Sequence, residues 1–201
     1  MDTELTLIGF GAAACWGEKA RAFDIDPGRR DAMARTLVVP SRDPQAALQN
    51  ARLVLSLVTA DAALEAAQTC APMLDRGAIW IDMNSVAPDT KREAAKVIEQ
   101  HGAKYVDAAI LAPVHPARLE VPILLAGACA ADAQDALQAL GYANTSIIGS
   151  EVGRASTIKL IRSVMVKGVE ALTYEMIAAA EEAGVADEVL ASLDASAKSE
   201  S

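Results

Sequence analysis

Aromatic side chains are scarce in this chain: phenylalanine, tryptophan and tyrosine together make up 3% of it, beside two histidines and three cysteines. Cys15, Cys70 and Cys129 are odd in number and far apart. That spacing excludes a zinc site and a redox dithiol, so they read as small buried hydrophobes and no metal is expected. Basic residues are also in short supply, 18 against 27 acidic, for a formal net charge of -9. A protein that tracks a phosphate backbone needs a basic footprint, so this balance argues against nucleic acid as a partner. No apolar run approaches the 18 or so residues that span a bilayer, and Met1-Asp2-Thr3-Glu4 lacks the basic start of a secretory signal. No membrane partner is expected, and the chain reads as cytoplasmic.

What the chain has in quantity is aliphatic residues. It is 52% hydrophobic and 22% charged, and Ala, Val, Leu and Ile carry the apolar weight. This is the usage of a soluble α/β protein rather than a disordered one. A length of 201 residues gives one to two domains.

Short apolar runs recur at Leu5 to Ile8, Leu53 to Val58, Ala78 to Asp82, Lys104 to Asp107, Pro122 to Leu125 and Thr145 to Ile148. Ala-rich segments with helix signals lie between them: Ala62 to Thr69, Pro88 to Gln100 with Pro88 suited to a first turn, and Ala131 to Leu140, which Gly141 terminates. Strands apolar on both faces, alternating with helices, imply a doubly wound, mostly parallel sheet covered on both sides. After Gly149 the pattern changes. Ile158, Ile161, Met165, Val169, Leu172 and Met176 recur every three or four residues, which makes Val152 to Ala183 one long helix. A short helix from Asp187 to Leu193 and a frayed tail from Ala195 follow. The expected division is residues 1–150 as a nucleotide-binding domain and 151–201 as a helical segment.

Gly9-x-Gly11-x-x-Ala14 stands between the first strand and the first helix. Gly9 permits a tight turn, Gly11 lets backbone N–H groups of Phe10, Ala12 and Ala13 approach a pyrophosphate, and Ala14 allows close helix packing. The helix N-terminus adds partial positive charge. The cofactor expected from this turn is NAD or NADP. Asp24, after Arg21-Ala22-Phe23, is the acid available to the ribose and favours the unphosphorylated form, whereas Arg29 and Arg30 suit a 2′-phosphate. Asp24 lies only 13 positions past Gly11, where about 20 are usual. Ala12 to Lys19 supplies a helix of only about 12 Å at 1.5 Å per residue. The first crossover therefore reads as missing residues between Ala13 and Ala20, an expectation that the intact mass of the expressed protein tests.

The order of motifs resembles the β-hydroxyacid dehydrogenase family, which includes 6-phosphogluconate and 3-hydroxyisobutyrate dehydrogenases. Besides the glycine turn, Val54-Leu55-Ser56-Leu57-Val58-Thr59 is similar to the family's fourth-strand end, which implies that Val58 and Thr59 pass the cofactor. Ile81-Asp82-Met83-Asn84-Ser85-Val86-Ala87-Pro88 resembles the substrate-binding Asp-x-Ser-Thr-x-x-Pro segment, so Asn84 and Ser85 are implied at the substrate. Gly153-Arg154-Ala155-Ser156-Thr157-Ile158-Lys159 resembles the Gly-x-Gly-x-x-x-Lys start of the interdomain helix, with Ala155 for the second Gly. The resemblance implies that Lys159 is the catalytic acid/base. That work requires a lysine pKa lowered from about 10.4 by burial or a nearby cation, and Arg162, one turn along, is a candidate for that cation.

The chain departs from the pattern at two places. Arg162 and Ser163 replace an Asn pair after the lysine. Ala112-Pro113-Val114-His115-Pro116 replaces a Gly-Gly that holds the substrate carboxylate, and Pro116 has no N–H to donate. His115 is then the substitute donor or cation, and Arg162 and Ser163 are implied at the substrate. Family members complete the cleft with an all-helical second domain, of which this chain carries only a short part. The apolar face of the long helix accordingly suggests a homodimer through Val152 to Ala183. Three activities fit these residues: hydride transfer between a nicotinamide cofactor and a β-hydroxy acid or its oxo form, imine reduction, and dinucleotide sensing without turnover.

Overall fold

The computed structural model of the chain describes residues 5–11 and 19–199. Ala12, Ala13 and Ala14 of the glycine turn, Cys15, and the segment between Ala13 and Ala20 in which residues were expected to be missing lie outside the described residues, Lys19 apart. Eight strands form one sheet: β1 (Leu5–Ile8), β2 (Ala20–Phe23), β3 (Val38–Pro40), β4 (Leu53–Ser56), β5 (Ile79–Asp82), β6 (Lys104–Ile110), β7 (Ile123–Ala126) and β8 (Thr145–Gly149). Their order across the sheet is β3-β2-β1-β4-β5-β6-β7-β8. Every neighbouring pair is parallel except β6 and β7, which run antiparallel. The order reverses direction at β1, where connections that had moved outward to β3 return to β4. Such a switch point opens a crevice at the carboxyl ends of the strands.

Side chains alternate across the sheet with the period of two that strands impose. Leu7, Leu55, Ile81 and Val106 belong to one buried cluster, Ile8, Val54, Trp80 and Tyr105 to another. Helices α1 (Arg29–Met33) and α5 (Ala130–Ala139) contribute Met33, Ala133 and Leu137 to the first cluster. Helices α2 (Pro44–Leu48), α3 (Ala63–Cys70) and α4 (Pro88–Gln100) contribute Leu48, Ala67, Cys70, Ala94 and Ile98 to the second. The sheet is therefore covered on both faces, which is the reason its central strands carry apolar residues at successive positions.

β3 escapes the sequence pattern because it is a three-residue edge strand ending in Pro40, which cannot donate to a further neighbour. The tail corrects an expectation: after Gly184 the chain does not fray at Ala195 but continues as α7 (Ala186–Ser199). Asp187 and Glu188 lie in its first turn and Lys198 in its last, where each charge complements the helix dipole.

The long helix α6 (Arg154–Ala183) passes from one compact unit, which runs to Lys159, into a second, which starts at Leu160. In the second unit, Ile161, Val164, Met165 and Leu172 are 68%, 76%, 71% and 68% exposed, so the apolar stripe of α6 faces solvent. No helix among the described residues is long and apolar enough to cross a membrane.

Candidate active site

The glycine turn is clamped from both sides. Gly9 donates its backbone N–H to the Phe23 carbonyl at 2.8 Å, and Leu57 donates to the Ile8 carbonyl at 2.7 Å. At φ +87° Gly9 occupies the left-handed region, and a Cβ there would stand 2.5 Å from the Leu57 carbonyl oxygen. Only glycine fits. Asp24 secures the same turn from β2: Oδ2 accepts from the Phe10 N–H at 2.7 Å, and Oδ1 accepts from the Asp26 N–H at 2.8 Å.

Above this turn, at the carboxyl ends of β1, β2, β4 and β5, lies a cavity of about 650 Å³, within the range of a small-molecule site. Gly9, Phe10, Gly11, Asp24, Val58, Thr59, Asn84 and Ser85, which the sequence nominated from four separate segments, all line it. The sequence reading did not include Asp26 as a wall residue. Its carboxylate lies 3.8 Å from the Arg29 guanidinium, also on the wall. His115 lies elsewhere, exposed in the loop after β6 and not among the residues lining the cavity. Arg162 and Ser163 fall in the second unit, on α6.

Behind the cavity floor is a buried ionic network that local sequence patterns do not reveal. Asp82 and Asp107 occupy matched register positions on the adjacent strands β5 and β6, so their carboxylates stand side by side. Lys91, from α4, pairs with both. Its Nζ donates to Asp82 Oδ1 at 2.8 Å and to the Asp82 carbonyl at 2.7 Å, and lies 3.6 Å from Asp107 Oδ1. The three residues are 0%, 1% and 0% exposed for Lys91, Asp82 and Asp107. Charges this deep persist only when paired and hydrogen-bonded. Hydrogen bonds reach both Asp82 oxygens and Asp107 Oδ2, while Asp107 Oδ1 has the Lys91 ammonium at 3.6 Å but, among the described residues, no hydrogen-bond partner. Tyr105 donates its hydroxyl to Asp82 Oδ2 at 2.6 Å, and the Asn84 N–H donates to Asp82 Oδ1 at 2.9 Å. Asp107 Oδ2 accepts from the Gly153 N–H at 3.1 Å, the Ser156 N–H at 3.0 Å and the Ser156 hydroxyl at 3.2 Å, and so caps the start of α6. Asn84 Nδ2 donates to Ser56 Oγ at 2.9 Å, which ties the β5 loop to β4. Burial and the adjoining Asp82 carboxylate push the Tyr105 hydroxyl well above its usual pKa, so it stays a donor.

Lys159, in the second turn of α6, donates its Nζ to Ser85 Oγ at the cavity. Burial lowers its pKa from the ordinary lysine value, the Lys91 ammonium lowers it further, and Asp107 opposes both. The cation acting on Lys159 is thus Lys91, brought near by the fold, where the sequence suggested Arg162 on the same helix.

An open, mostly parallel sheet with a glycine turn at its switch point defines a dinucleotide-binding domain of the dehydrogenase type. Residues 11–153 match the family described as the NAD binding domain of 6-phosphogluconate dehydrogenase, and the chain belongs to that family. Its cofactor class is NAD(P). An uncharacterized 28.5 kDa protein of Methanothermus fervidus is 31% identical over 153 residues, 76% of this chain and 57% of that one. This chain therefore spans little more than half the length of that relative. Among solved structures, the conserved hypothetical protein from Sinorhizobium meliloti 1021 is 39% identical over 98% of this chain and 70% of its own, with a TM-score of 0.77. Two enzymes share the fold at lower identity. The imine reductase from Myxococcus stipitatus in complex with NADP+ is 22% identical, with a TM-score of 0.80 over 94% of this chain and 70% of its own. The Mycobacterium tuberculosis 3-hydroxyisobutyrate dehydrogenase is 18% identical, with a TM-score of 0.79 over 92% and 67%.

Proposed function

We propose that the chain is the cofactor-binding part, together with the catalytic lysine, of an NAD(P)-dependent oxidoreductase that interconverts a β-hydroxy acid and its oxo form. The observation that carries this reading is the Lys159 Nζ to Ser85 Oγ hydrogen bond at a cavity that the glycine turn also lines. The residues present fit the cofactor. Gly9 and Gly11 leave the turn bare of side chains, and the cavity opens where the strand order reverses. Asp24 and Asp26, against which Arg29 is the one basic residue among the described residues of the wall, favour an unphosphorylated ribose and hence NAD. When bound, the nicotinamide supplies the hydride acceptor or donor.

The side chains divide the remaining work. Ser85 and Asn84 hold the substrate oxygen end. Lys159, in its neutral form, takes the hydroxyl proton during oxidation and, as the ammonium, returns one during reduction. A lowered lysine pKa makes the neutral, proton-accepting amine easier to reach, as acid/base work in both directions requires. The apolar stripe of α6 forms a homodimer interface, and sedimentation at micromolar concentration that shows only monomer overturns this part.

Imine reduction is the second reading, favoured by the loop Ala112 to Pro116, which offers no Gly-Gly for a substrate carboxylate. One set of measurements separates the readings. Binding of NADH and NADPH is followed by fluorescence, and turnover is then measured on parallel panels of β-hydroxy acids and cyclic imines, with Lys159→Ala as the control. Oxidation of a hydroxy acid that Lys159→Ala abolishes supports the first reading, and turnover confined to imines supports the second. Turnover indifferent to Lys159→Ala overturns the assigned role of the lysine. Binding with no turnover on either panel overturns both in favour of a sensor.

A further inference from the structure

We propose that Lys91 is a positioning residue of this site: its buried ammonium locks the Asp82 loop that carries Ser85 to the Asp107 carboxylate that caps α6, and thereby sets Lys159 against Ser85. This rests on the reading of Lys159 as the acid/base, and it gives that site a component from an element that does not line the cavity.

Three observations carry it. First, Lys91 is the hinge between two loops that must agree in position. Through Asp82 Oδ1 it shares an acceptor with the Asn84 N–H, and so fixes the residue next to Ser85. Through Asp107 it adjoins the carboxylate that receives the Gly153 and Ser156 N–H groups, and so fixes the first turn of α6. Lys159 sits one turn beyond Ser156, so a shift of that carboxylate moves Nζ relative to Ser85 Oγ. Second, hydrophobic packing does not require a cation here. Buried ion pairs are neutral or costly against apolar residues of equal volume, so a fully buried lysine between two aspartates points to placement rather than to stability. Third, Lys91 also reaches Lys159 through its charge. The charged groups that act on Lys159 are Lys91 from α4 and Asp107 from β6, while Ser85 from the loop after β5 is its hydrogen-bond partner. A cation in the floor favours the neutral amine that accepts a proton.

The test reads Lys159 directly and needs no substrate. Lysines of the whole chain are reductively methylated with ¹³C formaldehyde, and the Lys159 signal is assigned by its loss in Lys159→Arg. It is then titrated by NMR in the native chain, in Lys91→Met, and in Lys91→Met/Asp82→Asn. The double variant removes the cation together with one carboxylate and leaves Asp107 on its α6 donors, so it carries the same readout should Lys91→Met not fold. The expected result is a Lys159 titration displaced upward in the variants, with NADH binding unchanged. In steady-state oxidation, kcat at neutral pH falls about tenfold or more, the scale of a misplaced or wrongly protonated base, and the rising acid-side limb of the pH profile moves up with it. A folded variant whose Lys159 titrates as in the native chain overturns the proposal. If the titration moves and no substrate panel shows turnover, Lys91 still governs Lys159, and only the reading of the site as a dehydrogenase falls.

Discussion

The two glycines of the first turn are expected to fail in different ways. In Gly9→Ala the new Cβ meets the Leu57 carbonyl oxygen at 2.5 Å and its carbon at 2.7 Å, with the backbone at φ +87°. A left-handed L-residue costs about 1–2 kcal/mol, and overpacking against backbone adds about 1–3. The expected loss is about 3 kcal/mol, or roughly 6–12 °C in Tm for a domain of this size. The strain also pushes β4 away from β1, because Leu57 donates to the Ile8 carbonyl beside it. Gly11 is the control. Its Cβ would stand 3.5 Å from the same oxygen, an ordinary contact, and its φ is not left-handed. Gly11→Ala should keep the melting temperature within about 2 °C and still weaken NADH binding about tenfold, because a methyl group stands where the backbone must approach a pyrophosphate. Urea and thermal melts followed by circular dichroism, together with NADH fluorescence titration, measure both variants. A Gly9→Ala protein as stable as the native chain would refute the close approach of β1 and β4. A Gly11→Ala protein that binds NADH normally would refute the placement of the cofactor.

Three further outcomes follow from the site. Lys159→Met should lose about 10²-fold or more in kcat, yet be the more stable protein at neutral pH. The native Lys159 pKa lies below its unfolded value, so the unfolded chain binds more protons, and the native chain gains stability as pH rises from the lowered value toward the ordinary lysine pKa. Urea melts at pH 7 and pH 10 should therefore show the advantage of the variant shrinking. Tyr105→Phe removes the 2.6 Å donor to the buried Asp82 carboxylate and should cost about 1.5–3 kcal/mol in urea, with the midpoint as readout. Cys70 is buried and its thiol is pushed up to about 12, so mass spectrometry after iodoacetamide at pH 8 should find it unmodified in the native chain and alkylated in urea.

Local patterns in the chain made much of this legible. The glycine turn, Val58 and Thr59, Asn84 and Ser85, and Lys159 each belong to short motifs whose chemistry is written in consecutive residues, and the fold gathers them at or beside one cavity. Helix α4 was readable to its ends because Pro88 opens it and Gly102, at φ +85°, stops it. Edge strand β3 was not readable, because three residues ending in proline leave no alternation to detect. The tail looked frayed because its small and polar residues show no strong apolar period, yet charges at both ends complete α7.

The sequence by itself determined an α/β chain with a dinucleotide turn and a candidate lysine, because periodicity and turn chemistry act between residues a few positions apart. Tertiary structure decided which charges meet. Asp82, Lys91, Asp107 and Gly153 are separated by 9, 16 and 46 positions along the chain, and only the parallel register of β5 with β6 and the return of α4 across them bring the four together. Two carboxylates side by side on adjacent strands need a cation beside them once water is excluded, and that requirement exists only after the sheet has formed. The cation that lowers the pKa of Lys159 therefore comes from α4, a choice made by packing that spacing along α6 does not reveal.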